Sequence, residues 1–322
     1  MKNILNITNG DCAVNVMKEA KIPGVFLPWR DVLHDGPIPK DLCLEELSQI
    51  RTKFIVDRGW GTPERISQDF IERDQLLKSF GEFDKIILWF EHDLYDQLQL
   101  LQVLDWFFIN NKNEIPLSLI CRDIYLGPLS PDELKNLLQY EKPISDGQLS
   151  LASLAWSAFR DSSPMKWFDL LNTDTSSLPF LESAIIRLLE EYPNSTTGLS
   201  RTAQQALKII SEGEKFAGKV FAYSQEYEDS MFMGDSSFWV ILHELLESTP
   251  PLIKLPDGKK LTLPAALDQE LLITPAGMDV LSGKNNWLNN IALDRWIGGV
   301  HLQSNNIWCW NSDARLIVKM KA

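Results

Sequence analysis

The sequence predicts an α/β protein with an N-terminal Rossmann-like parallel-sheet domain, followed by helices and a C-terminal winged-helix-like domain. Three observations point there. Short apolar runs at 3–9, 24–28, 85–90 and 116–121 alternate with helical patterns, as in βαβ units. From Ser130 onward the pattern is helical. Beyond Gly198, three amphipathic segments precede a pair of short apolar runs, the element order of a winged helix. The predicted divisions are 1–128 (α/β domain), 129–197 (helical connecting region) and 198–322 (winged-helix-like domain).

In chain order, NILNITN (3–9) reads as a short buried strand, and Asp11–Ala20 as a helix that starts at Gly10–Asp11. GVFLP (24–28) reads as the second strand. WRDVLHDGPIPKD, with its prolines and glycine, is a polar loop. Residues 44–56 form a helix with apolar Leu44, Leu47, Ile50, Phe54 and Ile55, and 63–79 form another. The strand KIILWF (85–90), a helix over 94–109 and the strand PLSLIC (116–121) complete the first domain. Ser145 and Gln148 form an S-x-x-Q capping box ahead of LSLASLAWSAF. Helices follow over 164–171 and 178–191, and NSTTG reads as a linker turn. Thr202 and Gln205 form a T-x-x-Q box that would start the helix TAQQALKIIS. KFAGKVFAYSQE and SSFWVILHELLES are the next helices. PLIKL and KKLTL flank an Asp257-Gly258 turn, and ELLITPAGMDVL comes after them.

Composition narrows the function classes. The chain has 322 residues, 44% hydrophobic and 23% charged, as folded domains do. It lacks an uninterrupted apolar run near ~20 residues and an apolar leader segment, so a cytoplasmic protein with no membrane association is expected. Cys12, Cys43, Cys121 and Cys309 form no C-x-x-C pair, which fits a reducing compartment and excludes a zinc knuckle. Of the net charge of −13, the first 199 residues carry −11. That field repels phosphate backbones, so generic nucleic-acid binding is disfavoured.

In a parallel sheet, ligands bind at the carboxyl ends of the strands. That rule selects Asn9, Gly10 and Asp11 after the first strand; Arg30, Asp31 and His34 after the second; and Glu91, His92, Asp93, Asp96 and Gln97 after the third. Helix capping accounts for Asp11, and the first-turn pattern D-x-x-D for Asp93 and Asp96. Neither accounts for Glu91, His92, Arg30 and His34 together. Two chemistries fit. Glu91, His92, Asp93 and Asp11 have the ligand types of a divalent-metal site for Mg, Mn or Zn, although no spacing such as H-E-x-x-H fixes the metal. Alternatively, His92 or His34 is a general acid/base oriented by a carboxylate, while Arg30 and the helix start after Gly10 hold an anionic substrate. No G-x-G-x-x-G or Walker loop is present. Cys12 reads as a small buried hydrophobe rather than a low-pKa thiol, and Trp89 reads as core.

The third helix of the winged-helix-like part carries Asp235, Glu244 and Glu247 and no Lys or Arg, and its wing offers only Lys259 and Lys260. A DNA-reading helix needs basic or amide side chains, so protein contact or packing within the chain is favoured over DNA. His243 and His301 read as structural.

The stretches NITNGDCA, LPWRDVLHDGPIP, LWFEHDLYDQLQLLQ, LPFLESAIIRLLEEYPNSTTGLSRT and FMGDSSFW resemble a bacterial family, the domain of unknown function 1835 family. The match spans nearly the whole chain. It departs where Asn6 stands in place of His and Cys12 in place of a frequent Ser. The resemblance implies a bacterial cytoplasmic protein of recurring design, and brings no substrate or catalytic residue with it. From the residues themselves, the expected function is hydrolysis or group transfer on a small anionic or nucleotide-like substrate, with Asp11, Glu91, His92 and Asp93 catalytic. The alternative is a non-catalytic ligand-sensing or protein-interaction role, with a protein partner or a homo-oligomer.

Overall fold

The computed structural model of the chain describes residues 3–112, 114–256, 261–262, 264–266 and 268–320. It is a mixed α/β structure that clusters into two compact units. One comprises Met1–Ile185 with Gly298–Val300, the other Ile186–Ile297 with His301–Ala322.

The first unit begins with β1 (Ile4–Thr8), α1 (Asp11–Glu19), β2 (Val25–Pro28), the two-residue β3 (Gly36–Pro37), α2 (Leu44–Asp57) and α3 (Pro63–Lys78). It continues with β4 (Lys85–Phe90), α4 (Leu94–Asn110), β5 (Leu117–Cys121), α5 (Pro131–Asn136), β6 (Lys142–Pro143), α6 (Asp146–Phe159), α7 (Met165–Asp169) and the start of α8 (Leu181–Leu189). The main sheet has the order β2-β1-β4-β5-β6, parallel except for the short antiparallel edge strand β6. β4 is central and buried from Ile86 to Phe90, the continuous apolar run that a strand covered on both faces requires.

The register decides where the strand ends fall. Thr8 pairs with Pro28 on one side and Trp89 on the other, and Phe90 pairs with Cys121. The residues that follow β1, β2 and β4 therefore share one edge, as the sequence implied, and those after β5 join them. Winding also reverses between β1 and β4, because β2 lies on one side of β1 and β4 and β5 lie on the other.

On one face Met17 of α1 and Leu134 of α5 pack with Ile87, Trp89 and Ile120. α4 packs against α6 and is buried almost all round, including Gln99 and Gln102. Each of these amides has a partner: Gln99 Nε2 donates to the Asp31 carbonyl at 2.8 Å, and Gln102 Oε1 accepts from Trp29 Nε1 at 2.8 Å. Asn6, fully buried within β1, donates to the Pro23 carbonyl and accepts from Trp89 Nε1 at 3.0 Å, so this polar residue inside a strand is structural. The capping box at Ser145 and Gln148 forms as expected. Among the described residues no helix is long and apolar enough to cross a membrane.

The second unit contains the rest of α8, then α9 (Arg201–Ser211), α10 (Ala217–Glu226) and α11 (Asp235–Glu247). An antiparallel pair follows, β7 (Ile253–Lys254) with β8 (Leu272–Ile273), then α12 (Pro275–Leu281), β9 (Asp294–Gly298) and β10 (Val300–Gln303), except that Gly298–Val300 cluster with the first unit. The antiparallel pair β11 (Trp308–Asn311) and β12 (Leu316–Lys319) ends the chain. The expected turn at Asp257-Gly258, with Lys259 and Lys260, lies outside the described residues. NSTTG is a tight turn in which Asn194 Oδ1 accepts from the Thr196 and Thr197 amides and Gly198 adopts φ +74°.

One cap differs from expectation. α9 starts two residues earlier than the T-x-x-Q pattern implies: Ser200 is the N-cap and accepts from Ala203 N at 3.2 Å. Thr202 lies inside the helix, buried. Its hydroxyl donates to Glu191 Oε1 at 2.5 Å and accepts from Arg187 Nη2 at 2.8 Å. A buried ionic pair recruited the residue that the local pattern assigns to a cap. Ser200→Ala should therefore cost about 1 kcal/mol, and Thr202→Val about 1–3 kcal/mol through unmade buried bonds. Urea unfolding measures both, and a Thr202→Val loss below that of Ser200→Ala would contradict this assignment.

Candidate functional site

The strand-end residues separate into two assemblies and two outliers. The first assembly is buried. Glu91 follows β4, Asp93 is the N-cap of α4, and Asp96 lies in its first turn. The carboxylates of Glu91, Asp93 and Asp96 each offer an oxygen within 4.8 Å of the other two, and they form the only such group of metal-type ligands among the described residues. His92 and Asp11, expected in a metal set, are not part of it, and Asp96 is.

The cluster is anchored almost entirely by amides. Asp96 Oδ1 accepts from Glu91 N at 2.7 Å, and Oδ2 accepts from Asn9 Nδ2 at 2.9 Å, across the point where the sheet reverses its winding. Asp93 Oδ1 accepts from Tyr95 N at 2.9 Å and Asp96 N at 3.3 Å, so it does cap the helix. Glu91 Oε1 accepts from Leu126 N at 2.7 Å, a donor on the loop after β5. Gln97 Nε2 donates to the Glu91 carbonyl at 2.7 Å and also approaches Cys121 Sγ at 3.5 Å. The sequence did not single out Cys121 or Leu126. The strand-end rule, applied to β5 as well, would have drawn attention to that loop.

No Lys, Arg or His forms an ion pair with these three carboxylates among the described residues. Burial and mutual repulsion therefore disfavour ionisation. Burial raises Glu91 against the bonds from Leu126 and Asn9, and burial with the Glu91 charge raises Asp93 to about 7. Asp96 is raised well above the usual carboxylate range by burial, then by Asp93 and Glu91. Burial also pushes the Cys121 thiol up to about 12, so it is no thiolate nucleophile. The His92 ring lies against Tyr125 (centroids 5.0 Å apart) and Phe180 (5.8 Å). Burial lowers its pKa, and its Nδ1 makes no hydrogen bond among the described residues.

The second assembly is at the surface. Asp11 is the first residue of α1, with Gly10 as the cap, and its half-exposed carboxylate forms a bidentate pair with Arg30 at 2.7 and 2.8 Å. Arg30 Nη1 donates to Asp69 Oδ1 at 3.0 Å. These bonds lower Asp11 and raise Arg30. Arg30 has αL backbone, φ +58°. It is already neutralised by two carboxylates and is no open anion clamp; Asp69, from α3, carried no signal in the sequence. Cys12, expected to be buried, is exposed.

Asp31 and His34 leave the edge altogether. Asp31 is fully buried, with Oδ1 accepting from Arg51 Nε at 2.9 Å and Arg73 Nη1 3.9 Å from Oδ2. Arg51 also donates to the Asp35 and Val32 carbonyls at 2.8 Å, and Arg73 pairs with Asp74 and stacks 4.4 Å over Trp29. These ions pin the loop after β2 onto α2 and α3. His34 is buried against the Tyr95 ring, centroids 6.0 Å apart. Both residues are structural rather than substrate-facing.

Buried carboxylates anchored by fixed N–H groups can hold protons, or a hard divalent cation that takes oxygen ligands. Their all-oxygen character favours Mg, Mn or Ca over Zn. Comparison with protein-family models and with curated proteins found no match for the chain.

Proposed function

We propose that the protein is a divalent-cation-dependent hydrolase or transferase acting on a small anionic, nucleotide-like substrate. The site lies at the carboxyl edge of a Rossmann-like sheet. The observation that carries this reading is the buried trio Glu91, Asp93 and Asp96, three carboxylates without a cationic partner among the described residues, at the reversal point of the sheet, where such folds bind ligands. A cation held there would polarise a phosphoryl or carboxyl oxygen of the substrate. Asn9 and Leu126 N–H orient the carboxylates, and the uncapped start of α1 at Gly10 offers amides to an anion. His92, turned toward Tyr125 and Phe180, stands outside the ligand set. The free thiols of Cys12, Cys43, Cys121 and Cys309 support a cytoplasmic setting. The resemblance to the domain of unknown function 1835 family supports a bacterial one.

In the second unit, the order α9, α10, α11 followed by the β7–β8 pair supports a winged-helix-like reading. α11 has no Lys or Arg, which supports a protein or small-molecule partner over DNA. The experiment is a thermal-shift series at pH 8 with Mg, Mn or Ca on cation-free protein. A hundredfold excess over Kd should add about 2.7 kcal/mol of stability, and no response to any of the three would remove the cation from the reading.

A further inference from the structure

The second unit holds a cavity of about 320 Å³ that is independent of the carboxylate cluster. Its floor is apolar: Leu199 and Trp310 line it and are buried, as is the Tyr192 ring. Its polar groups are unevenly committed. Arg201 is taken, with Nη1 on Glu190 Oε2 at 2.7 Å and Nη2 on the Tyr227 carbonyl at 2.9 Å, so this cation and Glu190 cancel. Gln205, reoriented, bonds Glu228 and Arg201. By contrast, Tyr192 is 3% exposed, and no hydrogen bond engages its hydroxyl or the Gln204 amide among the described residues. Lys208 places its ammonium 5.2 Å over the Tyr227 ring, with only a loose 3.8 Å approach to the exposed Glu212.

The free groups are therefore donors above an apolar floor. Burial raises the Tyr192 phenol, which keeps its proton and acts as a donor near neutral pH. The hydroxyl itself is not fully sealed from solvent, so a ligand acceptor can reach it. The volume is at the lower end of small-molecule sites, about 300–1,000 Å³, which limits the occupant to one compact molecule.

We propose that this cavity binds a small planar aromatic carboxylate, its ring on Leu199 and Trp310 and its carboxylate toward Tyr192, Gln204 and Lys208. The site gives the second unit a ligand-sensing role that does not depend on chemistry in the first.

Calorimetric titration of the full chain with 2-naphthoate tests this, with 2-naphthalenemethanol as the neutral control. Saturable binding at one site per chain is expected, with the alcohol at least roughly fivefold weaker. Lys208→Gln should weaken naphthoate about fivefold, and Tyr192→Phe about tenfold. Gln204→Trp, built from a half-exposed position, should fill the cavity and abolish binding with helical circular dichroism unchanged. If that variant loses its fold, Ser312→Trp at the exposed rim gives the same reading. Absence of saturable binding, unchanged binding in the filled variants, or equal binding of the alcohol would each overturn the proposal. Retention of binding in Asp96→Asn separates this site from the carboxylate cluster.

Discussion

Replacing Asp96 with asparagine is expected to stabilise the cation-free protein at pH 8 while removing its response to divalent cations. Asn keeps the acceptor for Glu91 N, and its amide can donate to Asn9 once that side chain turns over. What disappears is a buried carboxyl whose ionisation is opposed by burial and by Asp93 and Glu91. The pH dependence has a definite sign. A carboxyl whose folded pKa is raised binds its proton more tightly in the native state. Its native preference is complete below the unfolded pKa and is lost as pH rises through the folded value. For Asp93, raised from 3.8 to about 7, the loss develops across that window and amounts to about 4 kcal/mol by pH 8. Wild-type protein without cations should thus lose stability from pH 5 to pH 8, Asp96→Asn should lose less, and a saturating cation should flatten the wild-type profile. Chemical denaturation across that pH range reads all three. A variant less stable than wild type at pH 8 without cations would mean that the cluster is satisfied as it stands.

Asp31→Leu is expected to destabilise the first unit by about 3–5 kcal/mol, because Arg51 would remain fully buried with its charge uncompensated. The pair is not expected to be worth that much in itself. Asp31→Leu combined with Arg51→Met removes both charges and should recover most of the loss. A double-mutant cycle from urea unfolding gives the coupling directly. Equal losses in the single and double variants would show that packing of the loop, not the ion pair, dominates.

Much of the first unit was legible because its local signals agree with its long-range ones. The KIILWF run is long enough for a covered central strand, and Asp93 both ends it and caps α4. The common edge for the residues after β1, β2 and β4 followed from the parallel arrangement. Side-chain direction did not. Asp31 is adjacent to Arg30 in sequence, yet its partners are Arg51 and Arg73 on helices that fold over it later. Arg30 turns to Asp11 and Asp69, so the expected anion clamp is an ion pair. The composition of a loop cannot distinguish a charge that faces a ligand from one that pins the loop. Likewise, at the start of α9, the local pattern points to Thr202, and only the buried Arg187–Glu191 pair explains why Ser200 is the cap instead. The strands β9 to β12 are four or five residues long, too short for alternation to stand out from turns.

Counting bound Mn by electron paramagnetic resonance on cation-free protein separates cation ligation by Glu91, Asp93 and Asp96 from a protonated structural cluster. The expected result is one Mn per chain at pH 8, weaker binding at pH 6 because the ligands must lose their protons, and none in Asp96→Asn. No bound Mn at pH 8, or the same binding in Asp96→Asn as in wild type, would contradict it.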